Sequence, residues 1–329
     1  MSIEQKLKQE YKSASESLHL PSSLETHMTA IIAEQGANWR EGKPMILKRK
    51  FTARKWIYAA LIAAVLSGFG YATQKLLFQS DHGFIQTEVW TDSGFKLAPS
   101  LKTDIRRTLA DVKNQLQEGQ YAAVYMAALE KSEYSAFRQH PLLSVSKPRT
   151  VEQLEQWSEK IASAGIISAV PDQLNGAFTF ESGKSEPAFG GIVSLEGLEM
   201  LGELRQESKD QGKAYTWRTQ PKETNPPVDI YTSTYKSADG NRLFVQYDHI
   251  LEKVKIKAIS PDTIVHDRIQ KDGIEADYVE NNDYLFSDTG LYKEWSWMSK
   301  SSSSVMIRVI TDSPNISKEQ LIQAAQAVE

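Results

Sequence analysis

The chain has 329 residues, 40% of them hydrophobic and 24% charged, so it is not disordered over most of its length and can enclose a sizeable core. It holds no cysteine, which excludes disulfide scaffolds, thiolate zinc sites and thiol nucleophiles together. The net charge of −4 is uneven: residues 1–55 carry ten basic and six acidic side chains and the remainder 28 against 36, a balance that argues against nucleic acid as a direct ligand.

Ile3, Leu7, Tyr11, Ala14 and Leu18 recur at steps of three and four, which predicts an amphipathic helix ending before Pro21. Ser22-x-x-Glu25 has the pattern of a capping box for a second helix, with Leu24, Met28, Ile31 and Ile32 on one face and Gly36 as its stop. So short a head, with no cysteine to staple it, cannot close its own core. Either a partner protein or a membrane interface is expected to cover the two apolar faces.

From Trp56 to Thr73 the chain runs eighteen residues without a charge, and Leu76, Leu77 and Phe78 extend the apolar reach past Lys75. As a helix the uncharged run spans about 27 Å, close to a hydrocarbon core, so 56–78 reads as a single transmembrane helix. A buried core helix would keep a polar face, and a signal peptide would begin near residue 1. Lys48, Arg49, Lys50, Arg54 and Lys55, followed by Trp56, flank this span, with Arg40 and Lys43 further back and Lys75 alone on the other side. That asymmetry predicts a single-pass protein of the cell membrane, with residues 1–55 in the cytoplasm and the rest outside.

Residues 79–98 read as an irregular stem and 99–145 as a helical hairpin. Pro99 opens its first helix, with Leu101, Ile105, Leu109, Val112 and Leu116 on one face, and after Gly119 a second carries Tyr121, Val124, Tyr125, Ala128 and Leu129. From 146 to 329 strand-like alternation dominates. Thr150-x-x-Gln153 is a capping-box pattern for a helix through Trp157 and Ile161, and 194–209 is more helical. Val228–Tyr235 and Leu243–Tyr247 form a hairpin about Asp239-Gly240, and Val254, Ile256 and Ala258 make a strand with one wet face. Trp295 and Trp297, then Val305, Ile307 and Val309, line one side of the last strands, and Ser317-x-x-Gln320 caps a final helix. The fold class predicted is α+β: a short helical head, one transmembrane helix, an outer helical hairpin, then an antiparallel-sheet domain with terminal helices.

No catalytic constellation is legible. Gly183-Lys184-Ser185 has the tail of a phosphate-binding loop, but Phe178 stands where its first glycine belongs. The six histidines lack metal-ligand spacing, and Asp267, Asp272, Glu275 and Asp277 read as a solvated turn before a calcium site. Trp295 and Trp297 read as core before a platform for a sugar or acyl chain. No enzyme activity, cofactor or metal is therefore expected.

The segments YKSASESLHLPSSLETHM in the head, the Lys48-Arg49-Lys50 flank and VKNQLQEGQYAAVYMAAL resemble the negative effectors (anti-sigma factors) of extracytoplasmic-function sigma factors in Gram-positive bacteria. The C-terminal part resembles a domain of unknown function common in such proteins, through Pro171-x-x-Leu174-x-Gly176-x-Phe178, YKSADGNRLFVQY, Trp295 to Trp297 and ISKEQLIQAAQAV. The zinc-binding head with His-x-x-x-Cys-x-x-Cys is absent. The resemblance implies a membrane-spanning regulator of transcription that senses an envelope signal and sequesters a sigma factor on the cytoplasmic side. Ile3, Leu7, Tyr11, Leu18, Leu24, Met28, Ile31 and Ile32 would then be its partner-binding residues. The alternative is an anchored protein whose outer domain binds a lipid, glycan or peptide.

Overall fold

The computed structural model describes residues 74–328 apart from 93–96, 133–136, 139–140, 169, 224–225 and 272–273. In chain order these form β1 (Gln74–Asp81), β2 (Ile85–Asp92), α1 (Pro99–Gln115), β3 (Gln120–Met126), α2 (Ala127–Glu130), β4 (Leu142–Lys147), α3 (Leu154–Ser163), β5 (Gln173–Leu174) and β6 (Phe178–Lys184). There follow α4 (Leu195–Glu199), α5 (Leu201–Gln211), β7 (Tyr215–Gln220), β8 (Val228–Ser237), β9 (Arg242–Ile250), β10 (Val254–Pro261), β11 (Val265–Lys271), β12 (Ile274–Asn281), β13 (Tyr292–Met298), β14 (Val305–Thr311) and α6 (Lys318–Gln326).

The largest sheet has eight strands in the order β11-β12-β13-β14-β9-β8-β6-β5, every neighbour antiparallel. Alternation sends Leu243, Val245 and Tyr247 of β9, Val305, Ile307 and Val309 of β14, and Trp295 and Trp297 of β13 into one core. Trp157 and Ile161 of α3 and Leu321 and Ala324 of α6 close it. Each large side chain so buried contributes roughly 1.5–3 kcal/mol. Trp157 lies over Gly183, where a Cβ would strike its ring, and its Nε1 donates to Ser233 Oγ at 2.7 Å. Ser317 and Gln320 complete the reciprocal capping box of α6.

The β4-β3-β7 sheet is covered on both faces. Ile105 and Val112 of α1 pack with Val124 and Val145 on one side, and Leu204 of α5 packs with Ala123 and Tyr125 on the other. In the third sheet β1 and β2 pair antiparallel, while β10 joins β2 in parallel.

The predicted α+β organisation with its helical head, transmembrane helix and outer helical hairpin is corrected by this architecture, which is mostly β-sheet with few helices among the described residues. The head 1–55 and residues 56–73 lie outside the described residues. Of the segment 56–78 assigned to the membrane, Gln74–Phe78 belongs to β1, and no described helix is long and apolar enough to cross a membrane. The single-pass membrane location is corrected on the same finding. Polar residues on either side of Leu76–Phe78 and an antiparallel partner at 85–92 favour a strand there, with a bulge between Leu76 and Phe78 that breaks the simple alternation.

The stem 79–98 contains β2 and the turn before it, where Gly83 has φ +77° and its N–H donates to Asp81 Oδ1 at 2.9 Å. In the hairpin assigned to 99–145, α1 forms, but the second helix is replaced by β3, the four-residue α2 that holds Ala128 and Leu129, and the start of β4. Ala122, Ala123, Val124 and Tyr125 are all buried because β3 has a helix layer on each side, and a doubly covered strand shows no period of two. Gln153 rather than Thr150 is the N-cap residue of α3, and Val151 makes a bridge to Gly183 instead.

Candidate ligand-binding site

The face of the large sheet turned away from α3 and α6 meets a second layer instead of open solvent. Together with residues of the β1-β2-β10 sheet, β4 and the segment 187–193, it lines a cavity of about 580 Å³, the size of a small-molecule site. Most of the wall is apolar. Phe78, Ile85, Val89 and Ile256 come from the smaller sheet, Leu142 and Leu143 from β4, and Ile192 and Val193 from the connecting segment.

Four aromatic rings form one side of the cavity: Phe189, Tyr284, Phe286 and Tyr292. The centroid of Tyr284 lies 4.6 Å from that of Tyr292 and 5.9 Å from that of Phe286, and Phe189 stands edge-on to Tyr284 at 6.1 Å. Burial first, and then Glu294, pushes the phenols of Tyr284 and Tyr292 above their ordinary range, so both remain neutral donors.

The polar part of the site is set by strand register. Arg308 of β14 stands opposite Gln246 of β9 and Ser296 of β13, which leaves Asp248 and Glu294 at its two diagonal positions. Arg308 Nε donates to Asp248 Oδ2 at 2.6 Å and Nη1 to Glu294 Oε1 at 2.9 Å. Gln246 Nε2 donates to Asp248 Oδ1 at 2.7 Å, and the Tyr292 hydroxyl donates to Glu294 Oε2. Both carboxylates are buried. Burial works against the charge on the guanidinium, but Glu294 and Asp248 outweigh it and raise the Arg308 pKa above its ordinary value. All five residues line the cavity.

A second cluster joins the two layers at its edge. The ring of His266 stacks on Phe78 with centroids 3.8 Å apart, and His266 Nε2 lies 2.9 Å from Asp277 Oδ1. Arg268 Nε reaches the same oxygen at 3.0 Å while its Nη2 donates to the Gln79 carbonyl. Burial alone would raise the Asp277 pKa, but the hydrogen bonds from His266 and Arg268 prevail and lower it.

A third group lies beyond Ala188. Lys184 Nζ donates to the Ala188 carbonyl at 3.0 Å, and the Ala188 N–H donates to Gln246 Oε1 at 2.9 Å, so this lysine is tied to the Arg308 network through one backbone unit. Burial lowers its pKa to about 8 against the attraction of Glu186. Glu186 itself accepts from Tyr121 Oη at 2.8 Å and from the Ser146 hydroxyl.

The predicted partner-binding residues Ile3 to Ile32 and the flanking residues Lys48 to Trp56 lie outside the described residues. Trp295 and Trp297 point into the core. Of the acidic turn, Asp267 pairs with Lys318 at 2.5 Å, Glu275 and Asp277 pair with Arg268, and Asp272 lies outside the described residues. No group of residues able to hold a metal occurs among those described.

Gln246, Asp248, Glu294 and Arg308 are the site residues that sequence reasoning missed. Their signal was present as polar residues alternating with core residues, a pattern that also describes a solvated sheet face. No protein-family model, no curated protein and no solved structure matches the chain. The resemblance to anti-sigma factors therefore rests on the sequence segments that carry it.

Proposed function

We propose that the protein is a binding module that holds the apolar body of an amphiphilic ligand in the cavity behind the large sheet. The observation that carries this reading is a partly open cavity of about 580 Å³ with mostly apolar walls and one buried polar cluster, Arg308 with Asp248 and Glu294. Apolar walls supply binding energy and a few placed polar groups orient the ligand. Glycans, which need polar groups on every side, fit these walls poorly.

The test is titration of the full chain with a fluorescent naphthalene dye that brightens in apolar surroundings. Saturable binding at one site is expected, and it should be lost in Thr87→Trp and Ile230→Trp, which place an indole at two lining positions on facing layers. Equal binding by variants that retain the circular dichroism of the parent would overturn the reading.

A second proposal concerns residues 1–35, whose support is the sequence pattern alone: the faces bearing Ile3, Leu7 and Tyr11 and bearing Leu24, Met28 and Ile31 bind a sigma factor. Leu7→Ala and Met28→Ala should each weaken capture by about 1–3 kcal/mol. A pull-down that recovers no sigma factor with the unaltered chain would end this proposal.

A further inference from the structure

Taking the cavity as a ligand site, we infer that its ligand is a cationic amphiphile, an ammonium group on an apolar body, with the cation received by Asp248 and Glu294 beside the aromatic wall. The charged residues lining the cavity are Asp248, Asp277, Glu294 and Arg308, three carboxylates and one guanidinium. Asp277 is occupied by Arg268 and His266. Arg308 is then shared between two buried carboxylates, which leaves one negative charge without a counterion among the described residues that line the cavity.

An uncompensated charge held away from water is costly, and a ligand cation removes that cost. The hydrogen-bond inventory points the same way. Asp248 accepts from Gln246 and Arg308, and Glu294 from Arg308 and Tyr292, one donor to each oxygen. An ionised carboxylate has about four acceptor sites, so both retain room for N–H donors.

The neighbouring wall adds a third contribution. The Tyr292 hydroxyl donates to Glu294, the Tyr284 ring lies 4.6 Å from that of Tyr292, and these two with Phe189 and Phe286 line the same cavity. Aromatic rings beside a carboxylate are the surroundings that hold an organic cation, through the negative faces of the rings. A fatty acid or a phosphate head would instead meet two carboxylates in low dielectric. A neutral alcohol would supply a donor and leave the charge.

The experiment is calorimetric titration of the full chain with dodecylammonium, dodecanol and dodecanoate, the two ions below their micellar concentrations and the alcohol below its solubility limit. Dodecylammonium should bind about tenfold or more tightly than dodecanol, and dodecanoate most weakly. Glu294→Gln and Asp248→Asn each bring the cluster to zero charge. In both variants the preference should vanish while dodecanol still binds.

Equal affinities for the ammonium and the alcohol, or a preference for dodecanoate, would overturn the cationic head and leave the cavity reading standing. Binding of none of the three would overturn the cavity reading with it. A preference that survives in both neutralised variants, or in Thr87→Trp, would show that the cation sits elsewhere on this acidic protein and would also overturn the inference.

Discussion

Arg308 holds two carboxylates that have no second cation within hydrogen-bond reach among the described residues. Arg308→Leu strands both in the interior and should cost about 3–5 kcal/mol, read as a lower urea midpoint. Lys184 makes the opposite case. Its folded pKa of about 8 lies below the ordinary 10.5, so between these values the unfolded chain binds more protons and stability rises with pH. The charged form is the destabilising one. Lys184→Met should therefore raise stability at pH 7 by about 1–2 kcal/mol, and the gain should shrink by pH 10, as urea unfolding at the two pH values would show. A gain that is equal at both would mean that packing, and not charge, sets the effect.

At the level of elements, the contact between α3 and β6 depends on an absent side chain. Gly183 lies against the Trp157 ring, which Ser233 holds in place, so Gly183→Ala forces the helix outward and should cost about 1–3 kcal/mol. Gly202 in α5 has open space around it and a helical backbone, so Gly202→Ala should stabilise by about 0.5–1 kcal/mol. Thermal unfolding of the two variants should move in opposite directions.

The same contrast explains what was legible in the sequence. β9, β13 and β14 carry Leu, Val, Ile, Tyr or Trp at alternate positions on their core face, with Gln246, Asp248, Glu294, Ser296 and Arg308 among the positions between, and they read as strands. β3 shows no alternation because helices cover both its faces, so its Tyr and Val fell on a helical spacing by coincidence. The binding face was hidden for a related reason. Gln246, Asp248 and Arg308 occupy alternate positions where solvent is the simplest expectation, and nothing within a strand tells that a distant hairpin roofs it. The pairing of β2 with β10 is a non-local event that local periodicity does not encode.

For the molecule as a whole, a ligand that occupies only the folded cavity stabilises the fold by mass action. At about a hundred times its dissociation constant the gain is about 2.7 kcal/mol. Differential scanning fluorimetry of the full chain with increasing dodecylammonium should show a midpoint that climbs with concentration, and one that stays flat in Thr87→Trp. The roof of that cavity also carries a consequence for biosynthesis. Ile85 of β2 pairs with Val254 of β10, so the edge of β2 waits for a strand made 169 residues later. At about 5–20 residues per second the ribosome needs roughly 10–30 s to deliver it. Throughout that interval the β1-β2 hairpin is a two-stranded unit with an open edge, the kind of surface on which a nascent chain mispairs unless a chaperone covers it.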